Sequence, residues 1–362
     1  MQSIQPSPKN CEVAVVTPYY PPHVGGVEIH AENLVRNLRR FYDVKVISST
    51  PSNADFQVRC LNIPYSPVPF SFPRVKAEIY HSHVPSPFFA LRAQDLAESY
   101  RSPHVVTYHN DVVIPERVDG FRIPETISSL VESFNEKVVF PLLKKVDLII
   151  ATTRSYAETS SVLSKFQEKL EIIPNAVDVE VFRPCEKKEN EVVYVGRLVE
   201  YKGLGTLIEA MEEVQKYEDV RLVVVGDGED RRTFEEMCRK RGVNAEFTGR
   251  VKRREVVRRI SRARVLVLPS FSRLEAFGIV LLEAMACETP VVASNVPGVG
   301  EIASKAGFVF SDVKELVSAI VEIVENDALM RKLGRRGRKL VEEKYSWDTV
   351  SKRIAKVYER CI

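Results

Sequence analysis

Two glutamates eight positions apart are the residues whose type and spacing most clearly suggest chemistry. Glu275 and Glu283 lie between two apolar, strand-like runs, Val265–Ser270 and Pro290–Ser294. If the whole connecting stretch is helical, a rise of roughly 1.5 Å per residue separates the two carboxylates by roughly 12 Å. That separation is too long for two carboxyl groups that share a proton or flank one bond. It suits two contacts with one elongated ligand that is rich in hydroxyl groups.

The second glutamate has apolar neighbours, among them Leu281, Leu282 and Ala284. Burying a carboxylate in such a setting is costly unless it is hydrogen-bonded, and ribose hydroxyls are suitable partners. Gly278 near the helix start permits close backbone approach, and the helix dipole favours a phosphate oxygen there. The alternative for Glu283 is an ordinary surface carboxylate on an amphipathic helix.

Two cations follow the first predicted strand of the second half. Gly196 permits a tight turn, and Arg197 and Lys202 place positive charges at the strand end. A guanidinium and an ammonium can hold a diphosphate by bidentate and point-charge contacts, respectively. The alternative is a surface loop with two solvated charges. The downstream fragment Gly226–Gly228 lacks the full dinucleotide fingerprint, which disfavours a dehydrogenase.

Glycines and histidines mark the strand ends of the first half. Gly25 and Gly26 would let backbone N–H groups approach a ligand at a helix N-terminus, an anion-friendly position, although they also suit a plain strand–helix turn. His109 directly follows a predicted strand and faces the expected ligand cleft. His81 and His83 have a spacing that suits a metal, but no third ligand is apparent in the sequence. Hydrogen bonding is therefore preferred for this pair, and no metal site is predicted.

Short apolar runs alternate with amphipathic stretches, which indicates an α/β fold with parallel sheets. The predicted strands are Glu12–Thr17, Val44–Ser48, Glu78–Ser82, His104–Tyr108, Asp147–Ala151, Glu191–Gly196, Val220–Gly226, Arg264–Pro269 and Pro290–Ser294, and a helix is predicted over Glu28–Phe41. A break in composition near residue 172 divides the chain. The sequence therefore predicts two Rossmann-like domains, 1–172 and 173–346, with a ligand cleft at the carboxyl ends of the strands.

Composition narrows the class of protein further. The chain has 362 residues, 44% of them hydrophobic, and a net charge of +3, which does not suggest nucleic acid as a partner. Basic residues cluster at 250–264 and 331–339; these are predicted either as solvated helix faces or as contacts with an anionic membrane. No two of the six cysteines form a close pair, and neither a signal-peptide pattern nor a membrane-spanning run is found. The expected location is the cytoplasm, with association at the inner membrane face as a further option.

Together these residues resemble a large family of retaining glycosyltransferases of the GT-B fold, glycosyltransferase family 4 (glycosyl transferases group 1). The family includes bacterial phosphatidylinositol mannosyltransferases, sucrose synthases and many lipopolysaccharide transferases. The resemblance covers essentially the whole chain. It is carried by the Gly-Gly-Val-Glu loop (Gly25–Glu28), His109, Gly-Arg-Leu with a downstream Lys-Gly (Gly196–Gly203), Phe-x-Gly-x-Val (Phe247–Val251) and Glu-x7-Glu (Glu275–Glu283). It also implies that residues 347–362 form a helix that crosses back onto the N-terminal domain.

The resemblance implies roles for the cationic and acidic positions. Arg197 and Lys202 would neutralise the donor diphosphate. Glu275 would hold hydroxyls of the donor sugar, and Glu283 the ribose. His109 would contact the sugar near the reacting carbon.

It also implies backbone contacts with the donor. Gly25 and Gly26 would approach the diphosphate, together with Gly196 at the strand end. The backbone at Arg250 and Val251 would face the base. The backbone around Phe277, Gly278 and Ile279 would face the sugar and phosphate.

The implied activity is transfer of a hexose from a UDP-sugar or GDP-mannose to a lipid, glycan or small-molecule acceptor bound by the N-terminal domain. No metal cofactor is expected, since the chain has no Asp-x-Asp motif and the two cations and the helix N-terminus can assist the leaving diphosphate. Residues 49–77 and 110–130 are expected to be functional loops that meet the acceptor. Two alternatives are a nucleotide-sugar epimerase of the same fold and a non-catalytic protein that binds nucleotides or sugars.

Overall fold

The computed structural model describes residues 11–22, 25–50, 53–61, 63, 66–115, 117–118 and 121–362. The N-terminal segment without a signal-peptide pattern, and parts of the two expected acceptor loops, lie outside the described residues. The chain forms two compact units. The first comprises Met1–Val112, Ser129–Asn175 and Trp347–Ile362, and the second comprises Val113–Ser128 and Ala176–Ser346.

Strands and helices alternate along most of the chain. The strands are β1 (Glu12–Val16), β2 (Asp43–Ser48), β3 (Phe56–Gln57), β4 (Cys60–Leu61), β5 (Val68–Pro69), β6 (Ile79–Val84), β7 (His104–Tyr108), β8 (Arg117–Val118), β9 (Phe121–Arg122), β10 (Leu148–Ala151), β11 (Leu170–Ile172), β12 (Glu191–Val195), β13 (Arg221–Val225), β14 (Ala245–Gly249), β15 (Val265–Leu268), β16 (Val291–Ser294) and β17 (Gly307–Phe310). The α-helices are α1 (Gly26–Leu38), α2 (Pro87–Tyr100), α3 (Glu125–Lys145), α4 (Arg154–Thr159), α5 (Leu204–Val214), α6 (Arg231–Arg241), α7 (Arg253–Arg262), α8 (Ile279–Ala286), α9 (Val299–Ala303), α10 (Val313–Glu325), α11 (Asp327–Leu340) and α12 (Trp347–Cys361).

The first unit contains a seven-stranded sheet in the order β11-β10-β7-β6-β1-β2-β3, and every pairing in it is parallel. Its central strands are buried almost throughout, as expected of strands covered by helices on both faces. β2 pairs with β1 on one side, and β6, which follows later in the chain, pairs with β1 on its other side. The strand order therefore reverses between β1 and β6, which is a topological switch point.

The C-terminal helix α12 belongs to this first unit. The Tyr42 hydroxyl donates to the carbonyl of Ala355 at 3.2 Å, and the Tyr358 hydroxyl lies 2.5 Å from Nδ1 of His81. At the surface, Arg40 pairs with Asp348 at 3.0 Å. Tyr358 is fully buried, so α12 is an integral part of the first unit's core, in agreement with the helix expected there.

The second unit contains a six-stranded sheet in the order β14-β13-β12-β15-β16-β17, again with parallel pairings throughout. Aliphatic side chains from both faces of this sheet build two hydrophobic clusters with the flanking helices. Here the strand order reverses between β12 and β15. The carboxyl ends of these two strands therefore flank the place where an open α/β sheet binds ligands.

The predicted α/β class is confirmed, and all nine predicted strands are present with small shifts at their ends. β11, β14 and β17 were not predicted from the sequence, nor were the two-residue strands β3, β4, β5, β8 and β9. Among the described residues, no helix is both long enough and apolar enough to span a lipid bilayer.

Candidate functional site

Lys202 and Glu275 form an ion pair beside the switch point of the second unit. Lys202 ends a 3₁₀ turn, Glu200–Lys202, shortly after β12, and Glu275 lies in the loop after β15. Lys202 Nζ is 2.5 Å from Glu275 Oε2, and the two side chains are only 20% and 17% exposed. The structure thus brings together two of the predicted site residues from loops 73 positions apart in sequence.

Close packing between the two loops fixes the position of Lys202. Gly203 has φ of +73°, and a Cβ at this position would overlap the carbonyl of Pro269. Next to this contact, the Ser270 hydroxyl donates to the carbonyl of Tyr201 at 3.2 Å. Only glycine fits easily at a positive φ against another backbone. Gly203 and Ser270 therefore hold the turn that carries Lys202 against the end of β15.

The ion pair keeps Lys202 charged. Burial by itself lowers the pKa of the ammonium group, but the negative charge of Glu275 and its hydrogen bond outweigh this effect and hold the pKa of Lys202 above its usual value. Arg197 acts in the opposite direction, which places a second positive charge near Lys202. The predicted pair of cations is therefore present at this strand end.

Glu275 lies before helix α8, so the condition of a fully helical stretch from Glu275 to Glu283 is not met. Gly278 has φ of +74°, so the helix cannot extend backward through it and begins at Ile279. Glu275 Oε1 instead accepts a hydrogen bond from the backbone N–H of Gly278 at 3.1 Å. The separation of roughly 12 Å calculated for a helix does not apply. Glu275 is anchored in the loop that leads into α8, and Glu283 lies within α8.

Glu283 is partly buried. Burial raises the pKa of its carboxyl group to about 7, and the positive charge of Arg253 opposes this rise. Arg253 is the first residue of α7, and its guanidinium carbon lies 5.2 Å from the ring centroid of Phe182. In the sequence, Arg253 belongs to the basic cluster at 250–264, and its relation to Glu283 was not predicted. Its place just after β14, at the carboxyl edge of the sheet, was the available signal.

The loop after β12, which carries Gly196 and Arg197, packs its backbone directly against the backbone of the loop after β13. Leu198 N–H donates to the carbonyl of Asp227 at 3.0 Å, and a Cβ on Gly226 or Gly228 would overlap the backbone of the first loop. The Gly226–Gly228 fragment is thus explained by loop packing. The Arg197 side chain is exposed, while its carbonyl accepts from the hydroxyl of Tyr194 at 2.9 Å.

The other donor-contact positions predicted in this half also lie near the carboxyl edge of the sheet. Arg250 and Val251 directly follow β14, and Gly249 is tied to the neighbouring strand end by a 3.1 Å hydrogen bond from Gly226 N–H. Phe277 is buried and packs on Tyr345 at a ring distance of 6.5 Å. A ligand would meet the backbone of Phe277 and Ile279 rather than the Phe277 ring.

The two basic clusters form many ion pairs within the second unit. Their pairs include Arg258–Glu255, Arg259–Glu246, Arg262–Glu189, Arg264–Asp327, Arg331–Asp327, Arg338–Glu342 and Lys339–Glu343. Acidic neighbours therefore compensate much of the positive charge. This observation favours the interpretation as solvated helix faces.

In the first unit, Gly25 and Gly26 stand at the N-terminus of α1, near the carboxyl end of β1. Gly25 is the N-cap residue in an extended conformation, and a Cβ there would overlap the carboxylate of Glu28. A Cβ on Gly26 would meet no atom within 4 Å. Because the Glu28 carboxylate is the far end of a flexible side chain, packing alone does not require glycine at position 25, and Gly26 lies beside open space at the helix terminus.

His109 follows β7 and forms a cluster with His30 and His83. One ring nitrogen of each histidine lies within 4.8 Å of the others. Burial lowers the pKa of His30 to about 4, and it also holds the pKa values of His83 and His109 well below the ordinary value. All three imidazoles are consequently neutral at pH 7. A third ligand is not apparent in the sequence because His30 lies on α1, far from His83 in the chain.

Two family models match consecutive parts of the sequence. The model described as Glycosyltransferase Family 4 matches residues 24–181, and the model described as Glycosyl transferases group 1 matches residues 181–340. Together they span nearly all of both units. The chain therefore belongs to the glycosyltransferases of family 4, group 1, and it is a transferase that uses nucleotide sugars.

Characterised relatives match over nearly their full lengths. The MMP alpha-(1->4)-mannosyltransferase of Mycolicibacterium hassiacum is 26% identical, with 94% of this chain and 96% of that protein covered. The phosphatidyl-myo-inositol mannosyltransferase of Mycobacterium tuberculosis is 27% identical, with 96% of each covered.

Solved structures show the same fold. Sucrose-phosphate synthase from Thermosynechococcus elongatus matches with a TM-score of 0.75 at 20% identity, covering 97% of this chain and 99% of that one. HepE of Anabaena, in complex with UDP and glucose, matches with a TM-score of 0.73 at 15% identity, covering 97% and 100%. The fold is that of the GT-B glycosyltransferases.

Proposed function

We propose that the protein transfers a hexose from a UDP- or GDP-linked donor to a hydroxyl group of a lipid or glycan, with retention of the anomeric configuration. The observation that carries the proposal is the Lys202–Glu275 ion pair at the switch point of the second unit. An ammonium group suits a phosphate oxygen, and a carboxylate suits sugar hydroxyls. A sugar diphosphate presents both kinds of group side by side.

In the transfer step, the bond between the anomeric carbon and the diphosphate oxygen breaks, and the electron pair leaves with the nucleoside diphosphate. The acceptor oxygen forms the new bond to that carbon, and its proton is released. Lys202 and Arg197 stabilise the negative charge that grows on the diphosphate. Glu275 holds Lys202 in position by its 2.5 Å contact and receives hydrogen bonds from the sugar.

The remaining positions bind and orient the donor. Glu283 accepts from the ribose, and the backbone at Arg250 and Val251 faces the base. The open space beside Gly26 lets the diphosphate approach the N-terminus of α1. His109, which is neutral, hydrogen-bonds to the sugar near the reacting carbon. This assignment requires no metal ion, so transfer should continue in the presence of EDTA.

We further propose that the acceptor carries a lipid. The exposed face of α3 includes Leu130, Val131 and Phe134, which lie at helical spacing on one stripe. Several relatives are named for transfer to phosphatidylinositol species, which supports this choice. An apolar stripe of this kind would contact an acyl chain or the membrane that contains it.

A thermal-shift panel with UDP, GDP, ADP and NAD tests the donor class. A ligand at 100 times its dissociation constant stabilises the folded state by about 2.7 kcal/mol. Stabilisation by UDP or GDP, followed by transfer of label from the matching sugar nucleotide to a lipid extract, is the expected result. A response to NAD alone would contradict the proposal. Nucleotide binding without transfer to any acceptor would favour the non-catalytic alternative.

The double variant Leu130→Ser/Phe134→Ser tests the acceptor class. It should raise the apparent KM for a lipid acceptor and leave the affinity for the sugar nucleotide unchanged. The matched control is Tyr217→Ser, which removes an exposed aromatic residue of the second unit. Equal acceptor kinetics in all three proteins would rule out a lipid contact at this stripe.

A further inference from the structure

Three histidines of the first unit converge from separate elements. His30 lies on α1, His83 on β6 and His109 directly after β7, and one nitrogen from each is within 4.8 Å of the others. Their exposed fractions are 5%, 1% and 8%. They lie beside the switch point between β1 and β6, where chain topology opens a crevice for ligands.

The cluster leaves buried nitrogens without hydrogen bonds. Nε2 of His83 has no hydrogen bond, and neither nitrogen of His30 makes one of regular geometry, although the Asn175 side chain lies near enough to His30 to favour its charged form. His83 Nδ1 is 3.0 Å from His109 Nε2, so this contact uses one nitrogen of each of those rings. An unsatisfied buried polar group costs about 1–3 kcal/mol, and native proteins retain few of them.

Two other histidines of the same sheet show that the fold can satisfy buried imidazoles. His81 contacts Tyr358 Oη at 2.5 Å and Thr107 Oγ1 at 2.7 Å. Both nitrogens of His104 are paired as well, with Ser82 Oγ and Gln94 Oε1 at 2.7 Å each. Among the histidines that the structure describes, buried ring nitrogens without a hydrogen bond therefore occur in the three-histidine cluster alone, which is consistent with a ligand supplied from outside the chain.

We propose that His30, His83 and His109 bind one Zn²⁺ ion or a similar divalent transition-metal ion. Imidazole suits zinc, copper and nickel, and three histidines with an open fourth position are a known zinc arrangement. Tetrahedral Zn–N bonds of about 2.0–2.1 Å place ligand nitrogens roughly 3.3 Å apart. His83 Nδ1 and His109 Nε2, at 3.0 Å, are close to that spacing, so an ion there would replace their mutual contact, and one nitrogen of His30 lies within 4.8 Å of the other two ligand atoms.

The ion inhibits transfer rather than assisting it. This step rests on the proposed function, in which the His109 imidazole contacts the donor sugar. A metal bound to His109 fixes the orientation of that ring, adds a double positive charge next to it and occupies the space beside it. Zinc binding and productive donor binding are therefore mutually exclusive.

Metal binding is tested directly on the full chain, without any transfer assay. Zn²⁺ titrated into wild type by calorimetry should bind with one equivalent, and Co²⁺ should give the intense visible bands of a tetrahedral site. His30→Gln and His83→Gln should each weaken binding by at least about tenfold, the loss seen even for outer-shell changes. His23→Gln, which removes the one histidine of the sequence not named above, serves as the control and should bind as wild type does.

Several outcomes would overturn the site. These are equal Zn²⁺ affinity in wild type and both cluster variants, an octahedral Co²⁺ spectrum, or sulfur-to-cobalt charge-transfer bands that reveal cysteine ligands. The Co²⁺ spectrum needs only wild type, so a variant that fails to fold does not weaken the test.

The inhibitory role is tested with the transfer assay. Zn²⁺ should abolish wild-type transfer over the concentration range that fills the site, and EDTA should restore it. In His30→Gln, inhibition should need at least about tenfold more zinc, judged against that variant's own rate without zinc. Zinc binding with undiminished transfer would refute the inhibition, and zinc binding by a protein with no transferase activity would refute the proposed function instead.

Discussion

Lys202 combines two properties that a diphosphate site needs. Its ammonium group is largely shielded from solvent, and Glu275 keeps it charged by a 2.5 Å contact. A shielded charge interacts with a ligand more strongly than a solvated one, because less water screens it. At the scale of single residues, Lys202 is therefore the best position at which to test donor binding.

We expect Lys202→Met to lower kcat/KM by about 10²–10³, the usual effect of removing one group that stabilises transition-state charge. Methionine keeps the apolar stem and removes the charge. Steady-state kinetics with the sugar nucleotide provides the measurement. The matched control is Lys216→Met, since Lys216 also pairs with a glutamate at 2.6 Å but lies exposed on the surface of the same unit. If both variants retained wild-type kinetics, Lys202 would have no role in transfer.

Glu283 should make stability depend on pH. Its folded-state pKa is about 7, above the ordinary value of 4.5. As pH rises from 4.5 to 7 the unfolded chain loses this proton first, so the folded state becomes relatively less stable; above pH 7 the penalty is constant. Glu283→Gln should therefore raise Tm by a few degrees at pH 8 and by less at pH 5. Glu322→Gln, at an exposed site on α10, should show no such trend in thermal unfolding.

The same carboxyl group should couple donor binding to pH. If the ribose hydroxyls donate to ionised Glu283, wild type should bind the sugar nucleotide more tightly at pH 8 than at pH 6. The donor's diphosphate is esterified at both ends and does not titrate in this range. Calorimetry at the two pH values should show a smaller difference for Glu283→Gln. An unchanged difference would exclude Glu283 as the ribose ligand.

At the scale of elements, the start of α8 determines where Glu275 is placed. Gly278 has φ of +74°, and a Cβ there would lie 2.6 Å from Leu268 Cδ2. Gly242 has a similar φ of +68°, but a Cβ there would meet nothing within 4 Å. An alanine substitution at each position therefore distinguishes the energetic cost of a positive φ from the added cost of steric overlap.

Gly278→Ala should lower the free energy of unfolding by more than Gly242→Ala does. The control carries only the strain of a positive φ, about 1 kcal/mol or more, whereas Gly278→Ala adds a clash with the core. Urea unfolding of both variants supplies the comparison. Gly278→Ala should also weaken donor binding, because Gly278 N–H holds Glu275. Equal destabilisation would show that α8 adjusts without cost.

The elements that were predicted and those that were missed differ in pattern. Runs such as Val13–Val16 and Val265–Leu268 are continuously apolar, so the sequence alone predicts them to be buried strands. β14 contains Glu246 and Thr248 and is only partly buried at the sheet edge, so its sequence resembles a loop. The sequence places Gly278 near the start of α8, but it does not reveal that the left-handed conformation of this glycine keeps Glu275 out of the helix.

At the scale of the whole molecule, α12 completes the core of the first unit from the far end of the chain. Tyr358→Phe would leave His81 Nδ1 buried without its 2.5 Å contact, at a cost of about 1–3 kcal/mol. Calorimetric unfolding should show a lower transition temperature for the first unit. Tyr217→Phe, an exposed change in the second unit, should leave the profile unchanged. A wild-type profile for Tyr358→Phe would mean that the contact contributes no stability.

Long-range arrangement also explains why the sequence analysis identified part of the site and missed the rest. The motifs around Lys202, Glu275 and Glu283 are local, so their chemistry could be inferred from neighbouring residues. The grouping of His30 with His83 and His109 depends on the strand order β1-β6-β7, which no local pattern reveals.

The chain has one tryptophan, and its position makes it a natural optical probe. Trp347 begins α12, and its indole lies 5.4 Å from the imidazole of His30. Tryptophan emission of the unmodified protein, excited where tyrosine absorbs little, therefore comes from a single ring at the histidine cluster. Any event that alters those imidazoles should change the emission directly, so ligand titrations and stopped-flow kinetics at this site need no added label.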